Sequence, residues 1–161
     1  MLFRSYSSAT NTAAVAGGRQ TCAGGAYSGT LSGIYNGAGG SYAIVAGGYN
    51  NSACSQSSTV SGGQNNKATN LLSTVGGGFT NITCANAATI AGGYCNIASG
   101  TCSFIGGGQK HFASCCYTSI LGGFCNSTFN CNVHLIGSCL FGFTANYTYV
   151  NNLCQCGGGL S

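Results

Sequence analysis

The chain contains no aspartate, no glutamate, no proline and no tryptophan. Its fixed charges are Arg4, Arg19, Lys67 and Lys110, so charged residues make up 2% of the sequence, against about 25% in a typical soluble domain. The missing carboxylates exclude whole chemistries from this chain acting alone. A paired-carboxylate glycosidase, a Ser-His-Asp triad, and a Walker-type Mg²⁺ site or carboxylate Ca²⁺ cage all need side chains that are absent. The Ca²⁺-binding β-roll with its Asp-containing nonapeptide is excluded as well. A dispersed net charge of +4 builds no basic stripe for nucleic acid. There is no apolar run of about 18 residues, so no membrane insertion is expected. Met1–Tyr6 lacks the long apolar region of a secretory signal. The expectation is a chain that reaches an extracellular or virion surface by another route, such as assembly and lysis, or a piece of something larger.

What is present is periodic. Glycine accounts for 29 of 161 residues, and serine, threonine and asparagine supply the polarity. An apolar residue precedes each glycine pair at Val15, Val45, Val60, Val75, Ile90, Ile105, Ile120, Leu135 and Val150, in steps of 15 with Thr30 filling one slot. The pairs Gly47-Gly48, Gly62-Gly63, Gly77-Gly78, Gly92-Gly93, Gly107-Gly108 and Gly122-Gly123 keep the same step. So does an asparagine column, Asn36, Asn51, Asn66, Asn81, Asn96 and Asn126, and an alanine column two residues after it. A disordered glycine-rich chain has no reason to hold a Val/Ile column in register. Stacked identical units do.

Fifteen residues suit one coil of a β-solenoid. In Ser58-Thr59-Val60-Ser61-Gly62-Gly63, β-formers meet two glycines, which reads as a short strand closed by a tight turn. Asn66-Lys67-Ala68 reads as a second strand, followed by a second turn. Alternation along a strand puts Ser58, Ser73, Ala88, Ser103 and Thr118 on the inner face with the Val/Ile column, opposite the asparagines and alanines. Coils about 4.8 Å apart would make ten of them a rod roughly 48 Å long, with stacked asparagines forming amide ladders. Ile44, Leu71, Leu72, Phe104, Leu121 and Ile136 occupy outward phases. That excess of apolar surface argues for association of chains. The fold class expected is all-β, a parallel β-roll or β-solenoid of about ten 15-residue coils. Residues 13–150 would form the roll, 1–12 a cap or lead-in strand, and 151–161 a Gly/Cys-rich end.

The repeat, as in Ser73-Thr74-Val75-Gly76-Gly77-Gly78-Phe79-Thr80-Asn81 and Ser103-Phe104-Ile105-Gly106-Gly107-Gly108, resembles the head repeats of YadA-like trimeric autotransporter adhesins. It looks closest to the Gly-Gly-rich version in phage and large-virus fibre proteins. The resemblance covers about residues 13–150. It implies a homotrimer of left-handed β-rolls packed around a common axis, and attachment to a host surface. The total absence of acids and the cysteine content depart from related heads.

Twelve cysteines are present, none in a Cys-x-x-Cys pair, so zinc-ribbon and thioredoxin-like readings fail. Two readings stand. The cysteines are small apolar fillers, or Cys116 with Cys131 and Cys139 with Cys154, each pair sharing a phase in adjacent coils, form coil-to-coil disulfides. His111 falls in the asparagine column and His134 before Leu135. A dyad of His111 with Cys95 or Cys125 has nothing to orient it. Four sequons begin at Asn50, Asn81, Asn126 and Asn146. Tyr49, Phe79, Tyr94 and Phe124 share the phase after the glycine pair, and Tyr27, Tyr42, Tyr117 and Tyr147 share another. Such aromatics either stack on sugars or pack on a neighbouring chain.

The function expected is therefore a structural, non-enzymatic fibre or adhesin segment, with no catalytic residues, no metal and no cofactor. Its partners would be its own copies and a host-surface glycan or protein receptor. The alternatives are a filament subunit stacking end to end and an ice-binding solenoid using Thr59, Thr74 and Thr89, a ladder that Phe104, Ser119 and His134 break.

Overall fold

The computed structural model describes residues 8–9 and 12–151. Among these residues all regular structure is β. Twenty strands of two or three residues form two ten-stranded parallel sheets. Consecutive strands alternate between the sheets, so each coil gives one strand to each. The result is a β-solenoid. Its strands are short because a coil must turn twice within its repeat, once at the glycine pair and once at a Ser/Thr-rich turn.

The inside is thin and apolar. Val45, Val60, Val75, Ile90, Ile105, Ile120 and Leu135 are fully buried, packed with Ala38, Ala53, Ala68, Ala98 and Ala113 of the facing sheet. Each buried Val, Ile or Leu contributes roughly 2 kcal/mol of transfer free energy. Ser58, Ser73, Ala88, Ser103 and Thr118 complete the inner face. Hydroxyls in this column close the second turn: Ser28 Oγ donates to Gly25 O at 2.7 Å, Ser58 to Ser55 O and Ser73 to Asn70 O at 2.6 Å, and Thr118 to Cys115 O at 3.0 Å, while Ser103 Oγ is buried with no partner. Ile44, Leu71, Leu72, Phe104, Leu121 and Ile136 face outward. At the glycine corner a third ladder of single-residue parallel bridges runs from Arg19 to Phe124.

The register departs from strict constancy at both ends, the first pair, Ser8↔Cys22, being 14 apart. Strand partners are 15 apart from Ala14↔Gly29 to Ile120↔Leu135. They are 14 apart in the last coil, where Ser127 pairs with Phe141 and Leu135 with Tyr149. The residue that follows Leu135 in the core column is thus the half-buried Tyr149. Val150, expected there, pairs with Ile136 and is exposed. The lost residue is one glycine. The corner Leu121-Gly122-Gly123 is followed one coil later by Ile136-Gly137, and Asn126 Nδ2 reaches Gly137 O at a separation of 11 rather than the 12 of other coils.

Candidate interaction surface

Each buried asparagine clamps two coils. Asn81 Nδ2 donates to Gly77 O in its own coil and to Gly93 O in the next, both at 2.9 Å, and its Oδ1 accepts the Asn96 N–H at 3.0 Å. Asn51, Asn66 and Asn96 repeat the pattern, as does Asn36, which uses Ser32 O and Gly48 O. Asn126 does so with Gly122 O, Gly137 O and Leu140 N–H. The expected amide-to-amide ladder is corrected here: the side chains bond backbone, not one another. The glycine corner leaves one N–H and one C=O per coil without a backbone partner; the amide satisfies both and adds a second bond to the next coil's glycine carbonyl, which already accepts a corner N–H such as that of Phe79.

His111 takes the same place and does part of the same work. Its N–H donates to Asn96 Oδ1 at 2.9 Å and its Nδ1 accepts the Asn126 N–H at 3.1 Å. Nδ1 is therefore unprotonated and the imidazole neutral. Nε2 is buried with no hydrogen-bond partner. Burial pushes the pKa below the ordinary value, opposed in part by the Gly123 backbone. At 1% exposure, His111 offers neither Cys95 nor Cys125 a usable base.

The two glycines of a pair differ. Gly93 has a left-handed φ of +100, and a Cβ on it would collide with the Gly108 carbonyl and stand 2.6 Å from Asn96 Nδ2. Gly48, Gly63, Gly78, Gly108 and Gly123 are likewise left-handed and backed by the next coil. Gly92 and Gly122 face open space without a left-handed φ. Gly62, Gly77 and Gly107 have open space around them but a φ of +152, which L side chains rarely adopt, and Gly47 sits near Ser32.

Among the described cysteines, a disulfide joins Cys115 to Cys131, with Cα atoms 4.9 Å apart. Cys116, the in-phase partner expected for Cys131, is a half-buried thiol. Phase places side chains opposite each other along straight strands. This pair lies in a turn that curls into a left-handed φ at Tyr117, and there the diagonal neighbour stands within disulfide reach. Cys139 is an exposed thiol, and Cys154 lies outside the described residues.

The outer faces carry the apolar excess. One sheet shows Ile82, Ile97 and Phe112 in adjacent strands, with Phe141 beyond Ser127. The other shows Thr59, Thr74 and Thr89 bounded by Ile44 and Phe104, a threonine face three coils long. The corner column reads Tyr49, Gln64, Phe79, Tyr94, Gln109, Phe124. Tyr49, Tyr94 and Phe124 are exposed and Phe79 is half-buried. Phe79 and Tyr94 stack with centroids 5.3 Å apart and planes 7° apart, and Tyr27 stacks on Tyr42 at 5.2 Å. Stacking along the solenoid axis covers ring faces and turns ring edges outward. That suits contact with a packed surface better than stacking on a sugar, which needs a free face. Lys110 Nζ lies over Phe124 at 5.9 Å. Tyr147 leaves its expected column because of the shortened coil, and Asn146 takes the left-handed position.

One contact escaped sequence reasoning. Ser119 Oγ and His134 Nδ1 are 2.6 Å apart on the exposed face, and their separation of 15 was the signal. With no carboxylate in the chain to orient His134, the pair lacks a third member. Among the described residues no group of three or more His or Cys could hold a metal ion. Of the sequon asparagines, Asn81 and Asn126 are buried with their amides bonded, while Asn50 and Asn146 are exposed.

Residues 88–100 match the family model of the Ubiquitous surface protein adhesin repeat. This stretch, shorter than one coil, carries Ile90, Gly92-Gly93, Asn96 and Ala98: the core residue, the corner, the clamp and the facing alanine. No curated protein matches the chain significantly. The match and the solenoid fit YadA-like repeats, and together they support a structural, adhesin-like repeat protein with a surface-exposed character. No helix among the described residues is long and apolar enough to cross a membrane.

Proposed function

We propose that the chain is a non-enzymatic attachment segment of a fibre, working as a homotrimer of left-handed β-rolls. Its working unit is the repeat region, residues 13–150. The observation that carries this reading is the outward apolar surface of a roll too thin to absorb it. Ile97, Phe112, Phe104, Leu121, Tyr94 and Phe124 are all exposed in the single chain, more apolar surface than a lone soluble rod tolerates. Side-by-side packing around an axis hides such columns along their whole length. The edge-on aromatic corner supports a packed contact there. The partner beyond the trimer is a host-surface glycan or protein.

Light scattering with negative-stain microscopy tests the assembly. A mass of three chains on short rods is expected. A stable monomer would overturn the trimer, and long filaments would make end-to-end self-assembly the function. Binding of the purified trimer to host cells, absent with a Phe112→Ser/Ile97→Ser variant that no longer associates, tests attachment.

A further inference from the structure

The left-handed position of the glycine corner is occupied by Cys125 and, in the next coil, by Cys139, with φ of 52 and 56. The two are successive members of one column. Cys125 N–H donates to Gln109 O at 2.9 Å and Cys139 N–H to Phe124 O at 2.7 Å, the same bond one coil on. Side chains at this position meet across coils: Asn50 Nδ2 donates to Asn65 Oδ1 at 2.8 Å. At the other turn, Asn132 meets Asn146 at 2.9 Å over a separation of 14, so the shortened coil preserves such contacts. Stacked coils about 4.8 Å apart bring Cα atoms within the range of roughly 4.4–6.8 Å that a disulfide accepts.

We propose that Cys125 and Cys139 are an oxidation site that closes a second cross-coil disulfide. Outside the Cys115–Cys131 bridge, they are the one pair of described cysteines that share a column in adjacent coils. Cys95 has Thr80 and Lys110 as column neighbours, Cys102 has Ala87 and Tyr117, and Thr69 separates Cys54 from Cys84. The bridge also falls where another fastening stops. Leu140 occupies the next clamp position, where its N–H donates to Asn126 Oδ1 but its side chain returns no bond. With Cys115–Cys131 on one turn and Cys125–Cys139 on the other, this coil is held at both edges.

The co-reactant is a low-molecular-weight disulfide. The exposed Cys139 thiolate attacks one of its sulfurs, displacing a small thiolate and leaving a mixed disulfide. The Cys125 thiolate then attacks Cys139 Sγ and displaces the second small thiol. The cysteine pair loses two electrons and two protons, and the small disulfide is reduced to two thiols.

The test is incubation of the folded chain with oxidised glutathione, alkylation of remaining thiols, and chymotryptic mapping. The expected product is peptide Cys125–Phe129 joined to peptide Ile136–Leu140, two hydrogens lighter than their sum and separated by reductant. A Cys139→Ser variant, with Cys115–Cys131 intact to report folding, loses that product completely. Cys125 and Cys139 both found alkylated or glutathionylated, or either joined to a different cysteine such as Cys154, overturns the proposal.

Discussion

The coils from Asn51 to Asn126 and the coil after Asn126 share the same two sheets but are fastened by different means. In the regular coils one buried amide bonds three backbone groups at each step except at His111, and the second glycine of each pair leaves room for it. In the last coil the glycine pair is reduced to Gly137, the clamp position holds Leu140, and a disulfide fastens the opposite turn. The contrast teaches that strand pairing alone does not hold so thin a roll together. Two-residue strands supply few ladder bonds, so each coil needs a further lock at its corners, polar where the repeat is intact and covalent where it lapses.

Substitutions can break this contrast at graded cost. The largest effect is expected at the corner. Gly93→Ala forces a Cβ into the Gly108 carbonyl at a left-handed φ and should cost about 4 kcal/mol or more, whereas Gly92→Ala in open space should cost under about 0.5 kcal/mol. Urea unfolding of the two variants checks the difference. Asn81→Ala orphans the Asn96 N–H and the Gly77 carbonyl in the regular region, while Gly93 O keeps the Phe79 N–H, for about 2 kcal/mol, again read by urea unfolding.

Reducing the Cys115–Cys131 bridge should cost about 2 kcal/mol. Its loss should speed hydrogen exchange around Thr128–Leu135 and leave Val60–Ile90 unchanged. Equal acceleration throughout would mean that the two regions are not separately fastened. The smallest effect is a pH dependence from His111. Its folded-state pKa lies below the ordinary 6.5, so the unfolded chain takes up the proton first as pH falls. Stability is then full above about pH 6.5 and declines as pH drops toward the folded-state value. Melting curves across that range should show the decline in the native chain and lose the His111 contribution in His111→Asn.

Much of the fold was legible because its causes are local and repeated. The Val/Ile column, the alternation of Ser58, Thr59 and Val60, and the outward phases of Phe104 and Leu121 follow from strand geometry, which depends only on spacing. The corners were less legible. At Tyr117, Cys125 and Cys139 the backbone takes a left-handed turn, so spacing no longer says which way a side chain points. For that reason Cys131 meets Cys115 rather than Cys116. The Ser119–His134 contact was visible as a spacing but not as a chemistry, because the threonines elsewhere in that column pointed to an ice-binding ladder that these two residues only interrupt.

The sequence by itself determined the period, the two parallel sheets and the division into inner and outer columns, since a 15-residue repeat with two-residue alternation has few other ways to bury its apolar positions. Only the tertiary structure decided the rest: the coil shortened by one residue after Asn126, the second glycine of each pair as the one with a neighbouring coil against it, the asparagine amides turned to backbone, and the choice of Cys115. Each of these depends on where a neighbouring coil puts its backbone at a corner. A one-dimensional repeat does not contain that position until the coils are stacked.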